Sequence, residues 1–255
     1  MAKRIESLYV TEYKLLTKEF FILELTGKIK LPEILPGQFV QVKVENSPAT
    51  FLRRPFSVHD VDLDKNCIRI LVQIAGKGTE ALSRLKTGDM LDIIYPLGNS
   101  FSLPEKGMKP LLIGGGCGIA PLLFLGKYLK LNGFNPDILL GFRSAERVIE
   151  FEEYRQIGEV YITTEDGSLG EKGFVSGHSI LSRNSYGIVY CCGPDAMMKA
   201  VAKYSKSKNI QCEVSLENLM GCGIGACLCC IVETDRGNLC TCTDGPVFNI
   251  KELKW

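Results

Sequence analysis

Short apolar runs separated by turn-forming residues dominate the first hundred positions. The runs at 20–25, 38–44, 68–74 and 90–95 are rich in Val, Ile and Phe, and glycine turns such as those at Gly37 and Gly88 punctuate them. Runs of this length and composition predict β-strands, and their spacing predicts a small antiparallel barrel. One helix is predicted near residues 79–85. The pattern therefore predicts a β-barrel domain over residues 1–103.

After residue 109 the pattern changes to strand, glycine turn and helix. An apolar strand at 110–113 leads through the glycine-rich residues 114–118 into an apolar helix that ends at 131. The same order recurs with strands at 137–141 and 187–192, followed by helices at 145–156 and 195–206. Repeated βα units predict a parallel sheet with crossover helices, so an α/β domain is expected over residues 104–209.

Beyond residue 209 the pattern stops, and short strand-like pieces lie among cysteines. These pieces are too short to bury a core of their own, so a third unit over residues 210–255 needs a metal to hold it together. The length of 255 residues accommodates three units. The expected fold is a multidomain protein, with an antiparallel β-barrel, an α/β parallel-sheet domain and a small C-terminal metal module.

Charge and cysteine content narrow the classes of function. The formal net charge is +1 without a run of like charges, which argues against a nucleic-acid or anionic-membrane surface. Residues 1–7 lack the apolar core of a signal peptide, and no stretch is long enough to span a membrane, so a cytoplasmic location is expected. Thiols stay reduced there, which makes the 11 cysteines metal ligands or packing residues rather than disulfides.

The spacing of the C-terminal cysteines indicates an iron-sulfur site. Cys222, Cys227 and Cys230 form C-x4-C-x2-C, and Cys242 supplies a fourth thiolate, which is the plant-type 2Fe-2S spacing. Glycines at 221, 223 and 225 allow the loop to wrap closely around the sulfides and to offer them backbone N–H groups. The spacing predicts Cys222, Cys227, Cys230 and Cys242 as the ligands.

A structural zinc site is the alternative. It would use Cys227 and either Cys229 or Cys230, together with Cys240 and Cys242. Zinc ribbons favour two C-x2-C pairs, and this segment has one, so the cluster is preferred. Cys229 and Cys240 each lie within two residues of a proposed ligand, and their roles stay open.

Two segments of the barrel have the chemistry of a flavin site. Residues 53–58 place an arginine fork and a serine hydroxyl at a strand edge, where they can contact a diphosphate and a flavin ring. On their own they are equally typical of a solvated strand end. Residues 76–81 form a glycine turn that opens a helix and directs N–H groups at an anion. Two potential phosphate-binding elements thus follow each other within about twenty residues.

The glycine run at 114–118 lies between a strand and a helix, as a pyrophosphate-binding loop requires. It lacks the strict G-x-G-x-x-G spacing and a clear acidic residue for the ribose, so a close strand-to-helix turn remains an alternative. Residues 192–194 follow the last predicted strand, at the carboxyl edge where α/β sheets bind ligands. Arg143 and Arg147 follow the second strand and are placed where arginines hold a 2′-phosphate.

The barrel together with R-P-F-S, G-x-G-T and C-G-P resembles the ferredoxin-NADP reductase superfamily. The resemblance implies that Arg54 contacts the flavin diphosphate and that Ser57 lies against the isoalloxazine, with FAD as the flavin. The residues that it implies for FAD are Arg54, Pro55, Phe56, Ser57, Leu71, Val72, Gln73, Gly78 and Thr79. Those implied for the nicotinamide nucleotide are Gly114, Gly115, Gly116, Gly118, Cys192, Gly193 and Pro194.

The order of the units, with R-R-P-F-S, G-G-G-x-G-I-A-P-L and C-x-D-G-P-V-F, resembles the electron-transfer subunits of NAD-dependent dihydroorotate dehydrogenases. This resemblance implies a separate FMN-containing catalytic subunit that oxidises dihydroorotate in pyrimidine biosynthesis, in a heterotetramer with two copies of each chain. Electrons would pass through the 2Fe-2S cluster and FAD to NAD. NAD(H) is therefore expected rather than NADP(H), and no catalytic residue is expected on this chain. Cys117 and Glu165 are weak candidates for orienting the nicotinamide.

Two other functions remain open. One is the FAD and 2Fe-2S subunit of an NADH-dependent ferredoxin:NADP oxidoreductase or of a hydrogenase-type complex, which differs only in its partner. The other is a zinc-stabilised redox-sensing module that has lost hydride transfer.

Overall fold

Six strands from the first hundred residues close into an antiparallel barrel. The computed structural model describes residues 3–45 and 47–255, so positions 1, 2 and 46 of the predicted barrel domain lie outside the described residues. The strands follow the order β1-β2-β5-β4-β3-β6 around the barrel. Their bounds are β1 (Arg4–Leu15), β2 (Phe20–Thr26), β3 (Phe39–Val42), β4 (Arg54–Asp62), β5 (Cys67–Gln73) and β6 (Met90–Leu97), with helix α1 (Lys77–Leu82) between β5 and β6.

The rest of the chain builds a seven-stranded sheet with helices on its faces. Its order is β10-β9-β8-β7-β11-β12-β15, and every neighbouring pair is parallel except β12 with β15. The elements are β7 (Pro110–Gly115), α2 (Ala120–Leu131), β8 (Asp137–Phe142), α3 (Phe151–Arg155), β9 (Glu159–Thr164), β10 (Glu171–Lys172), α4 (Ile180–Arg183), β11 (Ile188–Cys192), α5 (Asp195–Ser207), β12 (Gln211–Ser215), β13 (Ile231–Thr234), β14 (Gly237–Cys240) and β15 (Val247–Asn249). Strands β13 and β14 form a separate hairpin.

The predicted barrel and parallel sheet are confirmed, with two differences in detail. The helix predicted at 145–156 is divided into a 3-10 turn, Ala145–Arg147, and the short α3, because Glu150 between them takes a left-handed backbone conformation with φ 58°. The sheet also continues past residue 209, since β12 extends it in parallel beside β11. The division of the chain at residues 103 and 209 stays a prediction.

In the described residues, the side-chain pattern builds three large hydrophobic cores and a smaller cluster at the cysteine loop. The barrel interior buries alternate strand residues, among them Val40 and Val42 of β3. A second core lies between the barrel and the sheet and includes both Leu71 of the barrel and Leu122 of α2. A third core covers the opposite face of the sheet beneath α5. Because the second core includes side chains from both parts, the barrel and the sheet are packed directly against each other.

A buried polar pair reinforces this packing. The His59 and Glu150 side chains are 0% and 1% exposed, and His59 Nε2 lies 2.8 Å from Glu150 Oε2. On the other side of the ring, His59 Nδ1 donates to the Ala120 carbonyl at 2.8 Å, because a carbonyl oxygen can only accept. The Tyr154 hydroxyl donates to the neighbouring Ile119 carbonyl at 2.5 Å. The barrel thus fixes the first residues of α2, directly after the glycine run.

Among the described residues, no helix combines the length and the apolar character that crossing a membrane requires.

Candidate cofactor sites

The loop that carries the predicted cluster ligands folds around its own thiols. The backbone N–H groups of Ile224 and Cys227 each donate to Cys222 Sγ at 3.4 Å, and the N–H of Cys222 donates to Cys227 Sγ at 3.4 Å. These donors lower the pKa of the Cys222 thiol to about 6, so that the thiolate needed for iron binding is favoured. Gly223 and Gly225 take φ angles of 71° and 83°, which the turn requires.

The other two predicted ligands lie deeper, against the barrel. Cys230 and Cys242 are 2% and 1% exposed and pack with Phe39 and Leu97 of the barrel. Gly225 of the loop donates its N–H to Cys242 Sγ at 3.2 Å. Burial and the neighbouring Cys230 raise the pKa of Cys242 to about 12. The loop that carries Cys222 and Cys227 is therefore held against Cys242 at the surface of the barrel.

This donor set fits a 2Fe-2S cluster. Cys222 and Cys242 are bonded to N–H groups of the same short loop, while Cys230 lies beside Cys242. A Cβ at Gly221 would come within 3.2 Å of Cys227 Sγ, so this glycine lies in close contact with the thiol. Backbone N–H groups aimed at sulfur stabilise an anionic cluster. In the part of the chain that the structure describes, no three His, Cys, Asp or Glu side chains are grouped as for a single metal ion.

The two cysteines whose roles were left open differ in position. Cys229 is exposed, whereas Cys240 is buried and lies beside Cys230 and Asp244, which together with burial raise the pKa of its thiol. Neither position changes the proposed ligand set, although the Cys240 and Cys230 thiols are close enough to interact electrostatically.

The two predicted FAD-binding elements of the barrel are brought into contact. A Cβ at Gly78 would lie 3.3 Å from Arg54 Nε, so the start of α1 lies directly beside the arginine. The Arg54 guanidinium donates to the Leu52 carbonyl at 3.0 Å. Arg53, by contrast, is committed to Asp92 at 3.0 Å. Arg54 is therefore the arginine of this pair that is placed to hold a phosphate.

The other residues predicted for FAD differ in how far their side chains are buried and in what they contact. Leu71 and Val72 are 1% and 0% exposed, and their side chains belong to the hydrophobic cores, so only their backbone can face a ligand. The Thr79 hydroxyl is used within the turn, where it accepts from the N–H groups of residues 75 and 76. Pro55, Phe56 and Ser57 are half-buried on β4, and Gln73 at the end of β5 reaches the cavity described next.

The two predicted nicotinamide elements meet at the carboxyl edge of the sheet. A Cβ at Gly118 would lie 2.4 Å from the N and Cα atoms of Gly193, so the two glycines are in backbone contact. Gly116 takes φ 55° at the turn between them. Gly114 lies under the start of α2, where a Cβ would come within 2.9 Å of Ile119. The close approach that the glycine pattern predicts is thus present.

A cavity of about 610 Å³ opens above these glycines, between the sheet and the barrel. This volume is in the range of small-ligand sites. Of the predicted residues, Gln73, Gly115, Gly116, Gly118 and Pro194 line it. Cys117, Arg143, Arg147 and Glu165 line it as well, which places both weak candidates for orientation at its wall. Cys192 is fully buried behind the wall.

The two arginines considered for cofactor choice differ. Arg147 Nη2 is paired with Glu19 Oε1 of the barrel at 2.7 Å, so this guanidinium is already engaged. Arg143 lines the cavity at the end of β8.

Sequence reasoning missed Glu217. Its carboxylate Oε1 lies 3.9 Å from Cys192 Sγ. The residue is exposed, and its side chain lines the cavity. Desolvation by the cavity walls raises the pKa of the Glu217 carboxyl. The available signal was its position just after β12, at the carboxyl end of a parallel strand.

Comparison with protein families matches two parts of the chain. Residues 217–254 match the iron-sulfur cluster binding domain of dihydroorotate dehydrogenase B, and residues 9–101 match the oxidoreductase FAD-binding domain. The first match supports the iron-sulfur interpretation of the cysteines over zinc, and the second supports a flavin site on the barrel.

Several curated proteins are similar over nearly the full length. The electron transfer subunit of dihydroorotate dehydrogenase B (NAD(+)) from Shouchella clausii is 36% identical and covers 99% of both chains. The protein of the same name from Caldanaerobacter subterraneus is 42% identical over 91% of this chain and 92% of its own.

Solved structures show the same architecture. A chain of an NADH-dependent reduced ferredoxin-NADP oxidoreductase, studied for flavin-based electron bifurcation, has a TM-score of 0.88 at 29% identity, with 97% of this chain and 90% of that chain covered. Phthalate dioxygenase reductase shares the fold alone, with a TM-score of 0.67 at 19% identity over 91% of this chain and 87% of that one.

Proposed function

The chain belongs to the family of electron transfer subunits of dihydroorotate dehydrogenase B, and we propose that it carries electrons between a catalytic partner subunit and NAD. It is an oxidoreductase component with FAD and a 2Fe-2S cluster as cofactors, and the reaction of the family belongs to pyrimidine biosynthesis. The observation that carries the proposal is near full-length similarity to these subunits, with all four predicted cysteine ligands inside the matched cluster domain.

The finer details of the partner are part of the proposal. We propose that the partner contains FMN, that two copies of each chain assemble in a heterotetramer, and that the complex works in the cytoplasm. Exposed apolar side chains around the cysteine loop support a docking surface there. Leu219, Ile224 and Leu228 are 85%, 50% and 58% exposed. Large apolar side chains concentrated in one place are typical of interaction sites.

The residues proposed to hold the flavin come from β4, β5 and α1. Arg54 holds the diphosphate with its guanidinium, and Gly78 leaves room for the phosphate beside it. Ser57 places its hydroxyl toward the ring from the outer face of β4. When bound, FAD exchanges a hydride with the nicotinamide and single electrons with the cluster. Pro55 and Phe56 shape the strand, Leu71, Val72 and Gln73 border the adenylate portion, and Thr79 orders the turn.

The residues proposed to hold NAD(H) form two elements beside the cavity, and Gly115, Gly116, Gly118 and Pro194 line it. Gly114, Gly115, Gly116 and Gly118 form the loop, and Cys192, Gly193 and Pro194 form the opposing turn. The contact between Gly118 and Gly193 keeps the floor of the cavity free of side chains, so that a planar ring can approach it. Glu217 contributes a desolvated carboxyl at the wall nearest Cys192.

A pair of serine substitutions tests the proposed ligands Cys222, Cys227, Cys230 and Cys242. Cys227→Ser is expected to remove the cluster and to spare FAD, because the hydroxyl is a poor iron ligand and the flavin site is separate. The variant keeps NADH oxidation with a soluble dye and loses dihydroorotate-dependent NAD reduction with the partner. Cys229→Ser is the matched control, since Cys229 is also exposed and lies two positions away.

Iron, flavin and electron paramagnetic resonance (EPR) measurements on both purified variants separate the outcomes. Iron lost in Cys229→Ser and retained in Cys227→Ser would overturn the ligand assignment. A colourless wild-type protein with zinc and no iron or flavin would overturn the function itself. Copurification from the native host with a glutamate-synthase-like flavoprotein, in place of a dihydroorotate-oxidising subunit, would favour the ferredoxin:NADP oxidoreductase alternative.

A further inference from the structure

Gln41 of β3 has a buried carboxamide that the fold itself does not satisfy. The residue is 0% exposed, and its Oε1 atom has no hydrogen-bond partner in the described part of the chain. Among the described residues, the hydrogen-bond partner of its Nε2 atom is Met220 Sδ at 4.0 Å, and a thioether is a weak acceptor. A fully buried amide without partners is costly, so such a group indicates a partner that the polypeptide does not supply.

The strand register shows which way this side chain faces. Val40 and Val42 point into the barrel core, so Phe39 and Gln41 lie on the outer face of β3. On the adjacent β4, Phe39 is paired with Ser57 and Gln41 is paired with Pro55. The outer face of β3 is therefore the direct neighbour of the strand proposed to contact the flavin.

The cysteine loop covers the same outer face from the other side. A Cβ at Gly223 would lie 2.8 Å from Gln41 Nε2 and 2.7 Å from Gln41 Cγ, so the loop touches the glutamine at the residue after Cys222. Phe39 packs with Cys230 and Cys242 in one hydrophobic cluster. Gln41 thus lies between the proposed flavin strand and the proposed cluster loop.

The chemistry of the proposed cluster matches the donor end of this amide. Cluster sulfides and thiolates only accept hydrogen bonds. An amide offers an N–H donor and a carbonyl acceptor at once. Whichever way the amide is turned, one polar end faces the loop and the other is free.

We propose that Gln41 is a positioning residue for the cluster, whose amide N–H group donates to the cluster sulfurs beside the loop of Cys222. This inference rests on the proposed function. An N–H donor near the sulfurs stabilises the more negative, reduced cluster, and hydrogen bonds of this kind are one of the determinants of cluster potential. Gln41 therefore raises the potential of the cluster relative to a chain with an apolar residue in its place.

The test is a redox titration of the full chain with both cofactors bound, monitored by EPR for the cluster and by visible absorption for the flavin. Gln41→Leu is expected to lower the cluster potential, so that the ratio of reduced to oxidised cluster at a fixed ambient potential falls about tenfold, which for one electron corresponds to about 59 mV. The flavin potential is expected to stay unchanged, because the fully buried Gln41 side chain leaves no opening through which a flavin could contact it. Gln41→Met makes the same test with an unbranched side chain that adapts to the site.

Gln38 provides the matched control. It is also a buried glutamine, at 5% exposure, but its amide is satisfied within the chain, accepting from Leu35 N at 2.8 Å and donating to Gly98 O at 3.0 Å. Gln38→Leu is expected to lower the melting temperature and to leave both potentials unchanged. A purely structural role for Gln41 would give it the same result as Gln38.

Iron and flavin are measured first on the wild-type chain. Their absence would overturn the proposed function. Their presence, with an unchanged cluster potential in both Gln41→Leu and Gln41→Met, would overturn this inference alone.

Discussion

The buried pair of His59 and Glu150 allows a quantitative prediction about how the barrel is held on the sheet. Glu150→Ala leaves the imidazole buried with nothing opposite Nε2, and removing one partner of a buried pair costs about 3 to 5 kcal/mol. Glu150→Gln is milder, at about 1 kcal/mol, because a glutamine amide can donate to a neutral His59 Nε2 while Nδ1 keeps its bond to Ala120. We therefore expect the free energy of unfolding to fall much more for alanine than for glutamine.

The backbone at this position gives an internal check. Glu150 has φ 58°, a left-handed conformation that costs a residue with a Cβ about 1 kcal/mol or more. Glu150→Gly loses the same carboxylate as Glu150→Ala but relieves this strain. The glycine variant is therefore expected to be more stable than the alanine variant by about 1 kcal/mol.

The pair also predicts a dependence on pH. Burial alone would raise the pKa of Glu150, but the His59 hydrogen bond and the nearby charges of His59, Arg69 and Lys14 outweigh it and lower the pKa. A carboxyl with a lowered pKa in the folded state adds stability above its unfolded pKa of about 4.3, and this stability is lost as pH falls through the folded value. The difference between wild type and Glu150→Gln is thus expected to be full above about pH 5 and to shrink in stronger acid.

Urea unfolding of the full chain measures these differences, with Glu152→Gln as the matched control. Glu152 lies two residues away, is 75% exposed and is paired with Arg155 at 3.4 Å, so its loss is expected to cost less than about 1 kcal/mol. If Glu150→Ala and Glu152→Gln proved equally stable, the pair would not contribute to the packing of barrel on sheet.

Two further substitutions test the cavity and the attachment of the cluster segment. Gly118→Ala brings a Cβ within 2.4 Å of the Gly193 backbone, so NADH oxidation with a dye is expected to fall at least about tenfold at unchanged FAD content, whereas Gly177→Ala, with nothing within 4 Å, is expected to behave as wild type. Asn99 donates through Nδ2 to two carbonyl oxygens of residues 244–247 at 2.9 Å. Asn99→Asp turns that contact into repulsion, and iron per chain is expected to fall while flavin per chain is retained; unchanged iron would mean that the segment is held elsewhere.

Local sequence patterns predicted the elements whose structure is determined locally. Helix α5 was predicted at 195–206 and spans Asp195–Ser207, because its apolar spacing and its place after a buried strand are both visible in the sequence. The prediction of one continuous helix at 145–156 was wrong for a non-local reason. Glu150 is held in a left-handed conformation at the contact with His59, which lies 91 positions away in the chain, and no local pattern records that contact.

The sites show the same division. Ligand spacing alone led to the prediction of Cys222, Cys227, Cys230 and Cys242, because a cluster imposes its geometry on a short loop, and this ligand set stays a prediction. Motif matching alone could not show that the Leu71 and Val72 side chains are used in the cores. It also missed Glu217, because the parallel sheet was expected to stop before β12.

The C-terminal segment fixes the proposed cluster ligands to the barrel, which also carries the strand proposed to contact the flavin. Asn99, directly after the barrel, donates its own N–H to the Gly245 carbonyl at 2.6 Å, and a Cβ at Gly98 would lie 2.5 Å from Pro246. The segment that follows Cys242 is thereby fixed to the end of β6, while Cys242 itself packs on Phe39 of β3. Strand β3 is paired with both β4 and β6 in the closed barrel. The proposed cluster ligands and the proposed flavin strand β4 are therefore attached to the same barrel. Their separation is therefore set by strand geometry, and because the same segment continues into β15, which pairs with β12, it also ties the barrel to the sheet.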